Sequence, residues 1–216
     1  MPRAKNPEVA GQLIEAAARL LAEEGESAVT ARRLGSEVGA STMAVYTHFG
    51  SMDDLLLHVW QEGFLRFGRA LDSAAVTDDP MADFVAQGWA YRRFALDNRH
   101  LYRVMFDGLL SWVDDQASLE VARGTFQSLL DRLQRAADAG RLDVDDLELA
   151  GQVVWAAVHG HVMIELTGYF ETLGRDPEPV YAECLRRLGL AFGDEPEQLA
   201  LSMKEGTRRP RRRRLS

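Results

Sequence analysis

Hydrophobic positions along the chain recur with a helical period almost from the first residues. Leu13, Ile14, Ala17, Ala18, Leu20 and Leu21 fall on one face at i, i+3, i+4 and i+7 spacing. Gly25 stands where a C-cap would end that helix. Thr30 is placed as an N-cap for a short helix from Ala31 to Val38 that buries Ala31, Leu34 and Val38. Gly39-Ala40 interrupts it, and Ser41 is the N-cap candidate for a second short helix, Thr42 to Thr47. Gly50-Ser51 interrupts again. Ser51 then opens a long helix from Met52 to about Ser73, with Asp53 and Asp54 in the first turn, where the helix dipole favours negative charge. Further helices are expected over Pro80 to Asp97, Asn98 to Phe106, Asp115 to Ala137, Asp145 or Asp146 to Thr172, and Val180 to Phe192. No run of alternating residues is long enough for a strand. The pattern predicts an all-α chain of about nine helices. After Asp194 the chain turns polar and ends in an arginine run, so residues 194–216 are expected to form a disordered basic tail.

A length of 216 residues suffices for one large domain or two small ones with a real core. The single cysteine, Cys184, excludes an intramolecular disulfide and a cysteine-rich zinc site, and fits a reducing compartment. No apolar run approaches the roughly 18 residues of a membrane span. Glu15 and Arg19 interrupt the apolar segment Gln12–Leu21, which therefore does not read as a signal-peptide core. A cytoplasmic protein with no membrane partner, no metal and no cofactor is expected. The five histidines are scattered, and His159 and His161 lie about 200° apart around one helix, which is no chelating pair. The formal net charge of −8 by itself argues against a nucleic-acid partner. That charge is uneven: residues 204–216 hold seven Lys or Arg against one Glu, which leaves −14 for the rest, of which only −1 falls in residues 1–50.

The most informative stretch is Thr30 to Leu55, TARRLGSEVGASTMAVYTHFGSMDDL. Two short helices joined by Gly39-Ala40-Ser41 read as a helix-turn-helix. Leu34, Val38, Val45 and Phe49 face inward, so Thr42, Met43, Tyr46 and Thr47 are presented outward. Short polar donors, a thioether and a phenol suit a helix pressed into a major groove, where longer side chains would hold it off the bases. With Tyr46-x-His48-Phe49, then Ser51 and a long helix, the region from about residue 7 to 55 resembles the TetR family of bacterial transcriptional regulators. The resemblance implies DNA contacts from Thr30, Ser41, Thr42, Met43, Tyr46, Thr47 and His48, with Phe49 and Leu55 in the core. Two departures stand out. Met52 occupies the place where the family commonly has a phosphate-binding lysine, and Gly35 replaces a more usual alanine at a cost to helix propensity of about 0.5–1 kcal/mol. Arg32 and Arg33 are the candidate substitutes for phosphate contact, and Arg3 and Lys5 could reach a backbone or minor groove.

Downstream, Trp155-Ala-Ala-Val-His159-Gly160-His161 is similar to the Trp-His-Gly signature of one TetR subgroup, as are Trp89, Tyr91, Phe94 and Asn98-Arg99-His100-Leu101-Tyr102. Trp155 and His159 are i, i+4 neighbours. His159 reads either as a packed core histidine or as a donor on a cavity wall. Aromatic residues crowd positions 60–112, and Phe64, Phe67, Trp89, Phe106, Trp155 and His159 form the candidate ligand-lining set. Arg92 and Arg93 either add a cation to it or lie on a solvated face. The resemblance also implies a dimer formed by the last two long helices, through Val153, Ala157, Gly160, Ile164, Leu185, Leu188 and Phe192, with two recognition helices one DNA turn apart.

Domains are therefore expected at 1–50 (DNA binding), 51–193 (ligand binding and dimerisation) and 194–216 (tail). The function expected is that of a homodimeric repressor which binds palindromic double-stranded DNA and is released by a small apolar effector. A transcriptional activator or a helical small-molecule-binding protein are the alternatives. No catalytic residue is expected, because the chain has no glycine-rich phosphate loop, nucleophile elbow or HExxH motif.

Overall fold

Local stop and start signals decide where the helices lie. In the computed structural model, which describes residues 6–108 and 116–207, α1 spans Pro7–Glu24. The Asn6 side chain accepts from the Glu8 amide at 3.1 Å at its start, and Gly25 ends it with φ +84°. After a single 3-10 turn, α2 (Ala31–Glu37) begins at Thr30, whose Oγ1 accepts from the Arg33 amide at 3.3 Å. Ser41 then leads into α3 (Thr42–Phe49), which Gly50 ends with φ +92°. Ser51 caps α4 (Met52–Asp72): its Oγ accepts from the Asp54 amide at 3.0 Å and donates to Asp54 Oδ2 at 2.7 Å. Downstream come α5 (Pro80–Asp97), α6 (Arg99–Phe106), α7 (Gln116–Asp138), α8 (Leu147–Leu166), α9 (Tyr169–Thr172), α10 (Pro177–Ala191) and α11 (Pro196–Gly206). Among the described residues there are eleven α-helices and no strand, against the expected nine.

The two extra helices correct two expectations. The single helix expected from 145 to 172 is split, because Gly168 adopts the left-handed conformation (φ +72°) and separates α8 from α9. The tail expected from 194 onward contains α11, which starts with Pro196 at its first position and buries Leu199 and Ser202. Arg3, Lys5, Trp112, the break expected after Gly108 and the arginine run lie outside the described residues.

The chain divides into two compact units. The first comprises Met1–Arg66 and Asn98–Ala122 and so extends beyond the boundary expected at residue 50. Its core holds Leu13, Leu20, Leu34, Val45, Leu55, Val59, Leu101 and Tyr102, with α1 packed along α6. The second comprises Phe67–Asp97 and Arg123–Ser216. Here α5 packs against α8, α10 and α11 around Met81, Val85, Phe94, Val158, Tyr181 and Leu185. At Gly206 a Cβ would stand 2.5 Å from the Ala82 carbonyl oxygen, so only glycine permits this approach of α11 to α5. Arg141 fastens the same corner. Its Nε and Nη2 donate to Asp194 at 2.7 and 2.9 Å, its Nη1 to Asp79 at 3.1 Å and its Nη2 also to Ser202 at 3.0 Å.

Candidate nucleic-acid interface

The first unit holds α3 against α2 through a close backbone contact. Gly35 is buried, and a Cβ there would meet the Ala40 carbonyl oxygen at 2.8 Å. The Gly35 carbonyl in turn accepts from the Ala40 amide at 2.8 Å. Gly35 thus closes the turn between the two helices, a use that propensity alone does not reveal. Leu34 and Val45 are buried beneath, with Val38 and Phe49 half-buried.

This packing leaves one face of α3 open. Met43 is 65% exposed and Tyr46 43%, and Ser41, Thr42 and Thr47 are exposed with them. Thr47 turns its hydroxyl back to donate to the Met43 carbonyl at 2.7 Å. His48 is half-buried, its ring 6.1 Å from that of Phe49, and Phe49 meets His58 edge-on at 5.4 Å. Thr30 and Arg32 are exposed at the start of α2.

Arg33 differs from the expectation. Its two terminal nitrogens donate to the Glu24 carboxylate at 2.6 and 2.7 Å, and its Nε lies 3.5 Å from Glu37. Glu37 also pairs with Arg19. Hydrogen bonding to Arg33 holds the Glu24 carboxyl below its ordinary range. Arg33 therefore ties α2 to α1, and a phosphate would have to compete with two carboxylates for it. Only the Arg33–Glu37 half of this network, at i, i+4 spacing, is visible in the sequence.

The six residues of the candidate ligand set are divided between the two units. In the first unit, Phe64 meets Phe106 edge-on at 5.5 Å and Trp60 at 4.4 Å. In the second, Phe67 packs on Tyr91 and Phe94 at 5.0 and 5.1 Å, and Trp89 on Tyr181 at 5.2 Å. Trp155 lies between Phe126 and His159, and His159 Nδ1 is 3.1 Å from the Tyr91 hydroxyl. A surface groove of the first unit is lined by Glu8, Gly11, Gln12, Glu15, Glu37, Val38 and Arg66, none of them in that set.

A polar cluster whose partners Glu165 and Tyr181 the sequence pattern does not announce lies around Arg92. Its Nε and Nη2 donate to Glu165 at 2.8 and 2.5 Å, with both side chains largely buried, and its guanidinium stands 5.7 Å from the Trp89 ring and 5.8 Å from that of Tyr181. Arg92 is thus neither a solvated charge nor an uncommitted one. His161, 7% exposed, is stacked between Phe170 at 4.8 Å and Tyr181 at 4.9 Å. Burial pushes its pKa below the ordinary 6.5, against the attraction of Glu165. Burial also drives the Tyr181 phenol well above its usual range, and its hydroxyl donates to the Gly88 carbonyl at 2.6 Å.

Of the seven residues expected at a dimer surface, five lie outside the core of the chain. On α8, Val153 and Ile164 are exposed, together with Leu149 and Ala156, and Ala157 and Gly160 are half-buried. On α10, Leu185 and Leu188 are only 1% and 8% exposed, so they are core and corrected as interface residues, while Phe192 is half-buried. The outward side of α10 instead carries Val180, Glu183 and Arg187. Glu183, hydrogen-bonded by Arg186 and Arg187, has its carboxyl drawn down to about 2.

Residues 13–59 match the family model described as bacterial regulatory proteins, tetR family, and residues 84–188 match that of the tetracyclin repressor-like C-terminal domain. The chain belongs to the TetR family. TetR-family proteins are DNA-binding transcriptional regulators, and the α2–α3 pair falls wholly inside the N-terminal match. The chain is 28% identical over 151 residues to the transcriptional repressor AcnR of Corynebacterium diphtheriae, covering 67% of this chain and 75% of that one. The structure of a Rhodococcus sp. RHA1 protein of unknown function has the same fold, with a TM-score of 0.76 at 22% identity over 90% of this chain and all of that one. RolR in complex with the ligand resorcinol is similar with a TM-score of 0.58 at 20% identity over 94% and 95% of the two chains. Among the described residues no helix is long and apolar enough to cross a membrane.

Proposed function

We propose that the chain acts as a homodimeric, effector-responsive repressor in the cytoplasm, binding a palindromic operator through α3. The observation that carries this reading is the open face of Thr42, Met43, Tyr46 and Thr47 on a helix fixed from behind by Val45 and the Gly35–Ala40 contact. Ser41, Thr30 and Arg32 flank that face, and His48 closes it. The name of AcnR as a repressor supports repression, and RolR with resorcinol supports an effector as part of the mechanism.

The apolar strip Leu149, Val153, Ala156 and Ile164 on α8, continued by Ala157 and Gly160, is the surface for a second copy, with the charged side of α10 as its rim. A two-fold axis through that strip would present two copies of α3 to half-sites one helical turn apart, roughly 34 Å. An effector held in the second unit would weaken operator binding by its preference for the non-binding conformation and by no more than that.

A gel-shift assay with the DNA upstream of the protein's own coding region tests the DNA reading. Tyr46→Ala and Thr42→Ala should each weaken binding by about 10- to 100-fold, the cost of one or two lost groove contacts. Unchanged binding in both folded variants would refute it.

A further inference from the structure

The α2 helix carries α3 with little apolar surface of its own. It is seven residues long and buries only Ala31, Leu34 and Gly35, so Leu34 is its one large core side chain. A short helix with so few buried contacts is free to rock about them. The α3 helix shares any such motion, because the Gly35–Ala40 contact joins the two. Groove contacts tolerate little of it, since binding side chains must be held to within about 0.5 Å by what supports them.

Charged side chains restrain α2 at both ends. Near its start, Arg33 is gripped by Glu24, the last residue of α1, through hydrogen bonds of 2.6 and 2.7 Å. Glu37, the last residue of α2, pairs with Arg19, farther back on α1. Glu37 also faces Arg33 at 3.5 Å, and Arg19 faces Glu23 at 3.5 Å. Glu23 in turn meets His100 Nε2 of α6 at 3.1 Å. Six side chains on α1, α2 and α6 thus form one unbroken run of paired groups within the first unit. Isolated exposed pairs contribute little, but bidentate geometry and a network are the conditions under which they count. For DNA binding the two carboxylates are unfavourable by themselves. Glu24 and Glu37 add negative charge to the helices that support α3, and they occupy two arginines that could meet phosphates. Carboxylates placed there lower the affinity for any DNA, which calls for a compensating use.

We propose that Glu24 and Glu37, with Arg19 and Arg33, are positioning residues for operator recognition: they lock the α2–α3 pair in its DNA-reading pose on α1 without touching DNA, and His100 extends the lock to α6 through Glu23. The inference rests on the reading of α3 as the operator-binding helix. Charge and position predict opposite signs. Glu24→Gln and Glu37→Gln each remove a negative charge and loosen an arginine, so long-range attraction alone tightens binding to any duplex. Loss of the lock weakens operator binding instead. Fluorescence anisotropy of the full-length protein, with the DNA upstream of its own coding region and with random duplex at graded salt, separates the two. Each variant should bind the upstream DNA about three- to tenfold more weakly and random DNA as well or better, with native circular dichroism. Arg19→Met combined with Glu37→Gln should be no weaker than the weaker single variant, since both break the same contact. Upstream-DNA binding that is unchanged or tighter in both glutamine variants overturns the proposal, and so do strictly additive losses for Arg19 and Glu37. It is equally overturned if Arg19→Met weakens both duplexes alike and lowers the salt slope by about one, the mark of a phosphate contact. Tyr46→Ala, measured alongside, reports a failure of the α3 reading separately.

Discussion

Replacing Arg141 by Met removes the single cation that joins four segments of the second unit. Asp194 and Arg141 are 1% and 15% exposed at their side chains, and the guanidinium meets both carboxylate oxygens. Removing one partner of such a buried pair strands the other charge, at a cost of about 3–5 kcal/mol. The Asp79 pair adds little, because that carboxylate is one-third exposed and screened, worth about 0–1 kcal/mol. Asp194 keeps one acceptor role toward the Glu195 amide at 3.1 Å, which places the expected loss near the lower end, about 3 kcal/mol. Urea unfolding followed by circular dichroism measures it. A double-mutant cycle with Asp194→Asn should show a coupling of at least about 1.5 kcal/mol, since the two side chains share their strongest contact. A loss under about 1 kcal/mol, or strict additivity, would refute the claim that this pair clamps α11 onto the second unit.

Other outcomes follow from the same geometry. His161 is protonated less readily in the fold than in the open chain, so the open chain binds more protons as pH falls through 6.5, and stability should drop below that pH; His161→Gln should flatten the pH 5–7 melting profile, and an unchanged profile counts against the buried neutral ring. Asp79 behaves in the same sense at lower pH: burial raises its carboxyl, but the Ser202 hydroxyl, the Ala82 and Met81 amides and Arg141 outweigh it, so stability present at neutral pH is lost as pH falls below about 4. Arg92→Met should cost about 3–5 kcal/mol by stranding Glu165, and it should weaken the acid sensitivity because one charge that opposes His161 protonation is gone; equal acid sensitivity in both proteins would argue against that coupling. Deleting residues 208–216 should make log K for operator DNA less steep in log salt without changing operator preference, as gel shifts at graded salt would report.

Much of the helical frame was legible because helix ends are local. Thr30, Ser51 and Asp146 each accept the backbone amide three residues on, at 3.3, 3.0 and 2.9 Å, and a serine, threonine or aspartate before an apolar run announces that bond. Gly168 was not legible as a break, since Gly151 and Gly160 in the same pattern stay helical and nothing local separates the cases. The α11 helix was hidden because its anchors, Arg141 and Asp79, lie 61 and 123 residues away from Ser202. Leu185 and Leu188 carry the right spacing for an interface, but spacing cannot tell a neighbour in the same subunit from one in a copy. The α3 face was legible in full, because its inward residues are fixed by period and its outward residues are what remains. The Arg33–Glu24 pair was not legible, since Glu24 reaches Arg33 from another helix.

The charge distribution gives the DNA face its character. Of the cations near it, Arg33 is paired with Glu24 and Arg19 with Glu37, so Arg32 is the one in residues 19–50 that makes no ion pair among the described residues. A face with so few uncommitted cations releases few counterions on docking, and its sequence-independent affinity is correspondingly small. The body that carries it is acidic, at −14 outside residues 204–216, and repels the duplex in any orientation but the docked one. On the DNA reading proposed above, base contacts from Thr42, Met43 and Tyr46 would then supply most of the difference between operator and random DNA. A net charge of −8 is therefore compatible with a specific DNA binder: it lowers the background against which a few groove contacts are read.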